Sequence, residues 1–396
     1  MNNVQISVFP NEKHEKPLRN ILGMNNLPRV INPLIQKAEK VDFDALNLRH
    51  IRFHDAALNN PGQQLVDVHR IFPFFHADEN DPKFYFFEQT DDYLKILQDS
   101  DAEIDFRIGE SIDHSTYARF IGVPDDIEKW ARVCRNIIGH YKNGEMNGMH
   151  LNITRVTVWE EPDNRFLFSG NVKDYTDMFC ALKKILNRDF PDIKVGGPAS
   201  PMPDSPQFFK DFLALCKERG VKPDYITNTV YLRTPEDVVN QIKEYRGFME
   251  DYGFNDLTQG LAEWHLGPVS WLAAGAFTTH GYKSSKSAAF SASLLMDLMD
   301  LEYFDVAYYY CFFGGYGIYD ISLEKRPKLP VFYGLKLFQM LASECEERAN
   351  VTTDNEKVRV LAGKTTDGKT RLLISCFEVR TANIEINVEG VTEAKL

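Results

Sequence analysis

From about Leu18 to about Ser343, short apolar runs alternate with longer amphipathic stretches. The runs are Ile21–Met24, Leu48–Phe53, Glu103–Ile108, Arg155–Trp159, Ile193–Val195, Tyr225–Val230, Leu257–Ala262 and Val306–Tyr310. Each is brief and nearly continuous in apolar residues, as strands buried on both faces should be. Between them, Asp125–Tyr141 puts Ile127, Trp130, Ala131, Cys134, Ile137 and Ile138 on one stripe, and Val172–Asn187 repeats the pattern. Ser205–Glu218, Thr234–Tyr252, Ser284–Leu301 and Leu329–Ala342 continue the series, with Ser205 and Thr234 as expected N-caps and Pro235 at the first helical position.

Strand alternating with helix about eight times predicts an α/β fold with a parallel sheet. No GxGxxG or GxxxxGK[ST] loop supports an open nucleotide-binding sheet. Polar residues gather where the strands end, which favours a (β/α)8 TIM barrel. Past about Arg348 the rhythm changes. Lys357–Gly363, Thr370–Phe377 and Ala382–Val388 alternate apolar and polar residues and predict a small antiparallel β appendage. The expected division is a catalytic barrel over 15–345 and a β unit over 346–396, joined by a strand from residues 3–9.

Composition changes this picture little, but it removes rivals. The formal charge is -12 with no long basic cluster, which argues against nucleic acid and suits a neutral substrate better than a polyanionic one. No apolar run reaches the roughly 20 residues of a membrane span. The six cysteines form no CxxC pair, so no metal or cofactor is expected from them. With a first stretch that lacks the pattern of a secretory signal, they predict a cytoplasmic setting. An oligomer is compatible with all of this.

Two strand ends carry the chemistry. Val156–Trp159 leads into Glu160-Glu161-Pro162, and Leu257–Ala262 leads into Glu263-Trp264. A glycosidic bond is usually cleaved by two carboxyls flanking the anomeric carbon, one protonated and one ionised. Glu161 and Glu263, at the ends of two strands of one barrel, are candidates for that pair. Trp159 and Trp264 beside them are candidates for stacking on a sugar, with Trp271 a little further on. A metal-dependent hydrolase would want clustered ligands. The nearest pairs, His54-Asp55 and Asp113-His114, are adjacent residues that point to opposite faces of a strand.

The segments VTVWEEPD (Val156–Asp163), LAEWHLGP (Leu261–Pro268), HIRFHDA (His50–Ala56) and PDYITNTVY (Pro223–Tyr231) together resemble glycoside hydrolase family 39, the β-xylosidase and α-L-iduronidase family. The resemblance implies a retaining glycosidase, with Glu161 as acid/base and Glu263 as nucleophile. It further implies that Tyr231 hydrogen-bonds the nucleophile, that Arg52 lies near it and keeps it ionised, and that His54 touches the sugar. Three positions depart from the family pattern. Glu160 stands where the family has an asparagine that holds the 2-hydroxyl, Thr229 where it has a histidine, and Tyr310 where it often has a tryptophan. Glu160 can accept a hydrogen bond there but cannot donate one when ionised, and its charge should raise the pKa of Glu161. These departures leave room for a second reading, a carbohydrate-binding barrel that has lost catalysis.

Overall fold

A computed structural model of the chain describes residues 2–30, 32–54, 64–112, 117, 119–267, 281–379 and 382–390. Strand β1 (Asn2–Lys13) is followed by eight barrel strands: β2 (Leu22–Asn25), β3 (His50–Arg52), β4 (Glu103–Ile108), β5 (Ile153–Val158), β6 (Lys194–Met202), β7 (Tyr225–Val230), β8 (Thr258–Trp264) and β9 (Phe304–Tyr309). Every neighbouring pair is parallel, and β9 pairs back onto β2 through Leu22–Ala307 to close the ring. The fold is therefore the predicted TIM barrel. Its strands are short because each needs only to cross the barrel wall before a helix carries the chain back.

The helices between strands are α1 (Pro33–Leu46), α2 (Val68–Ile71), α3 (Glu88–Leu94), α4 (Ile127–Asn143), α5 (Val172–Asp189), α6 (Pro206–Glu218), α7 (Pro235–Asp251), α8 (Ser285–Met299) and α9 (Pro330–Glu344). Thr234 caps α7 as expected, its hydroxyl accepting from the Asp237 amide at 3.1 Å. Ser205 precedes α6 but makes no side-chain cap; its hydroxyl is turned toward Asp163 instead. Among the described residues, no helix is long and apolar enough to cross a membrane.

Strands β10 (Cys345–Thr353), β11 (Val358–Thr365), β12 (Thr370–Cys376) and β13 (Ala382–Val388) join β1 in a second sheet of order β12-β11-β10-β1-β13. All its pairs are antiparallel except β1 with β13, which run parallel in the register Ile6–Ile386. Those two strands lie far apart in sequence, so no tight turn dictates their relative direction. Leu361, Leu373 and Phe377 extend the barrel's own core, while Val4, Ile6 and Val8 pack with Ala349, Val358 and Ala362 in a smaller cluster. Polar contacts fasten the sheet to α8. Ser375 donates to the Ala289 carbonyl at 2.8 Å, and Arg359 binds Asp297 at 2.8 Å.

Inside the barrel the strands alternate apolar and polar side chains. Buried Asp105 on β4 accepts from Thr157 at 2.8 Å and from the Tyr225 hydroxyl at 3.2 Å. Its charge helps hold the neighbouring Arg52 protonated despite full burial. This layer lies directly beneath the strand ends that carry the candidate chemistry.

Candidate active site

Beyond Val158 the chain leaves strand geometry. Trp159 and Glu161 both adopt left-handed backbone, at φ +63° and +39°. For residues with a side chain this costs on the order of 1 kcal/mol each and persists only where the surroundings enforce it. Here the Trp159 amide binds Ile108 O at 2.7 Å, its indole Nε1 binds Leu167 O at 3.0 Å, and the Asn164 amide binds Glu161 O at 2.9 Å. In a regular strand Glu160 and Glu161 would face opposite ways. The kinked turn brings both carboxyls under the electrostatic influence of Glu263.

The three carboxyls sit in different surroundings. Burial, reinforced by the charge of Glu263, pushes Glu161 up to about 8; a hydrogen bond from Asn164 Nδ2 to its Oε2, at 2.9 Å, opposes the rise. Asn164 Oδ1 accepts from the Phe166 amide at 3.0 Å, which fixes the orientation of its amide group. Burial also pushes Glu160 up to about 7, against the pull of Arg52, whose Nη2 holds its Oε2. Glu263 goes the other way. Burial opposes its charge, but His54 Nε2 on Oε1, the Tyr231 hydroxyl on Oε2 at 2.5 Å and the nearby Arg52 hold it below the ordinary carboxylate range. At neutral pH the pair is therefore poised with Glu161 protonated and Glu263 ionised.

Several expected contacts are redistributed. Arg52 bonds Glu160, Asn25 Oδ1 at 3.1 Å and Ala262 O at 3.4 Å, and acts on Glu263 only through its charge. His54, expected at a sugar, lies on the Glu263 carboxylate, with its ring 5.0 Å from that of Tyr310. Thr229 is buried, donating to Ala199 O at 3.2 Å. Trp264 is fully buried, edge-on to Tyr309 at 5.2 Å, because the residue after Glu263 on β8 must face the barrel's outer layer. Trp159 is likewise enclosed, by Trp130 and Phe168. Neither indole offers a face to a sugar. Asp55, Asp113, His114, Pro268 and Trp271 lie outside the described residues.

Asn25, Asn164 and a second buried cluster were not singled out from the sequence. Asn25, at the end of β2, donates to Ala262 O at 2.8 Å and steadies Arg52. The turn-favouring Asp163-Asn164 pair after the proline was the available signal for Asn164. In the second cluster, Glu110 receives the His69 amide at 3.0 Å and also contacts the His69 ring, which stacks on Phe120 at 3.7 Å. Asp67 beside them accepts from Arg107 at 2.7 Å and from the Ser111 amide at 3.1 Å. The trios His54, Glu160, Glu263 and Asp67, His69, Glu110 each bring one potential metal-ligand atom per residue within 4.8 Å of the others. In both trios arginines engage the carboxylates, the arrangement of a charge network more than of a metal cage.

Comparison with known proteins bears on the fold and the family. A β-xylosidase of Geobacillus stearothermophilus is 24% identical over 257 residues, 56% of this chain and 48% of the relative. The chain thus spans about half the length of that curated relative. Among solved structures, a glucosidase from Croceicoccus marinus superimposes with a TM-score of 0.77 at 22% identity, covering 95% of this chain and 78% of the other. A family 39 β-xylosidase from Caulobacter crescentus gives 0.65 at 18% identity, covering 97% and 83%. At such identities the likeness is one of fold. The model for glycosyl hydrolases family 39 matches residues 37–253, more than half the chain, and the chain belongs to that family.

Proposed function

We propose that the chain is a retaining β-glycosidase in which Glu263 is the nucleophile and Glu161 the acid/base. One observation carries this reading. Two buried carboxyls that influence one another have been driven to opposite protonation states, Glu161 up to about 8 and Glu263 below the ordinary range. A binding protein has no need of such a divergence, whereas double displacement requires it.

In the first step a Glu263 oxygen attacks C1 while the bond from C1 to the leaving oxygen breaks, and that oxygen takes the Glu161 proton. The Tyr231 hydroxyl and His54 keep the attacking carboxylate ionised and oriented until the substrate arrives. In the second step water attacks C1 and gives its proton to the Glu161 carboxylate, and Glu263 is released. Because Asn164 Nδ2 donates to Oε2 of Glu161, the acid's proton is favoured on Oε1, the oxygen left to meet the leaving group. The scattered free thiols, four of them buried, suit a reducing, cytoplasmic setting for this chemistry.

The test is the leaving-group dependence of Glu161→Ala. Nitrophenyl glycosides, whose leaving groups need no proton, should lose no more than about tenfold in kcat/KM, which reports the first step, while alkyl glycosides lose ~100-fold or more. Anomer-resolved NMR should find the β-anomer first. Equal losses on both substrate classes, or an α-anomer as first product, would remove the proposal.

A further inference from the structure

Strand β3 is the shortest in the barrel wall, and its pairing with β2 and β4 stops at Arg52. His54 lies two residues further on, where no ladder remains to hold its backbone, yet its ring sits on the Glu263 carboxylate. Two side chains stand in for the missing rungs. On one side the His54 amide donates to Asn26 Oδ1 at 3.0 Å. On the other, Nη2 of Arg107 donates to the His54 carbonyl at 2.5 Å. Asn26 follows β2 and Arg107 belongs to β4, so the clamp comes from both neighbours of β3.

Each half is itself fixed. Asn26 has left-handed backbone, at φ +69°, which asparagine tolerates better than most residues. Arg107 is fully buried, and its Nη2 also binds Asp67 Oδ1 at 2.7 Å. Asp67 in turn accepts from the Ser111 amide at 3.1 Å and from the Ser111 hydroxyl at 3.0 Å. A buried arginine needs an anion, and Asp67 supplies it. That need does not account for the bond to His54, which directs the same nitrogen at the backbone of the residue on the nucleophile.

We infer that Asn26 and Arg107 are positioning residues, which fix the His54 backbone so that its ring stays on Glu263. The inference deepens the retaining-glycosidase reading and rests on it for the role of Glu263. Without the clamp the ring drifts, and Glu263 loses a partner that favours its charge. Glu263 is also faced by Tyr231, by Arg52 and, from the turn after β5, by Glu160 and Glu161. Tyr310 lies against the His54 ring.

Two variants that alter none of these groups test it. Asn26→Gly removes one half of the clamp without backbone strain, since glycine is at ease at this φ. Arg107→Met combined with Asp67→Asn removes the other half and leaves the net charge unchanged. Each should raise the acid limb of the kcat/KM profile by about one pH unit and lower its plateau about tenfold. In a His54→Ala background neither should move the limb further, because both act through that ring. The same shift should appear without turnover, in the titration of the Glu263 carboxyl followed by carbon NMR, its signal identified by its loss in Glu263→Gln. Folded variants whose titration matches wild type, or shifts that persist in the His54→Ala background, overturn the inference. A shifted titration together with an inverted product would sink the mechanism and leave the clamp standing.

Discussion

Two histidine–glutamate contacts sit at strand ends of this barrel, and they come out oppositely. His54 meets Glu263 and His69 meets Glu110, and in both pairs the carboxyl is almost wholly buried. Glu263 is held below the ordinary range, while burial pushes Glu110 up to about 7. The histidine is common to both, so it does not decide the outcome. The remaining neighbours do. Glu263 also has the Tyr231 hydroxyl and the charge of Arg52, whereas Glu110 has the negative charge of Asp67. The equivalent arginine, Arg107, is bound to Asp67 and to the His54 carbonyl at 2.5 Å. A contact list alone would have given the two pairs the same role.

The contrast can be broken most forcefully by isosteric replacement. Glu263→Gln should lower kcat on the order of 10,000-fold, as loss of a nucleophile does, whereas Glu110→Gln should stay within about tenfold of wild type. Comparable losses at both sites in steady-state assays would erase the distinction. A smaller effect tests why Glu263 is ionised. Tyr231→Phe removes a hydrogen bond to the charged form, worth roughly 1.5–3 kcal/mol. The acid limb of the kcat/KM profile should then move up by about one to two pH units, while the alkaline limb set by Glu161 stays near 8. An unmoved acid limb would mean that His54 and Arg52 suffice.

The smallest effect concerns stability. In the folded protein Glu110 keeps a proton up to about 7, while in the unfolded chain it loses it near its ordinary 4.5. The native state therefore holds more protons in that window, and stability falls as pH rises through it. Glu110→Gln should remove this slope, leaving Tm flatter by about 2–4 °C between about pH 5 and 7. A slope unchanged in the variant would place its origin elsewhere.

The sequence disclosed the barrel because its strands are buried on both faces and read as unbroken apolar runs. The runs Glu103–Ile108 and Tyr225–Val230 match β4 and β7 residue for residue. The candidate carboxyls were legible for a related reason, since Glu263 directly follows such a run and Glu161 comes one residue later after another. What stayed hidden depends on contacts that form only when the ring closes. Arg52 and Glu160 are 108 positions apart, and nothing local indicates that this arginine is bound to Glu160 and not to Glu263. The two tryptophans misled because a residue's side of a strand is set by register, and one step from Glu263 turns Trp264 into the wall.

The place of β1 in the second sheet has a kinetic consequence. It lies between β10 and β13, so its partners are more than 330 residues downstream. During synthesis β1 emerges with both edges bare, and it stays so until the whole barrel has been made. Pairing across such a separation is slow, and an unpaired apolar strand invites association with other chains in the meantime. The second sheet would then be the last part to assemble, closing over α8 and α9 once the barrel is in place.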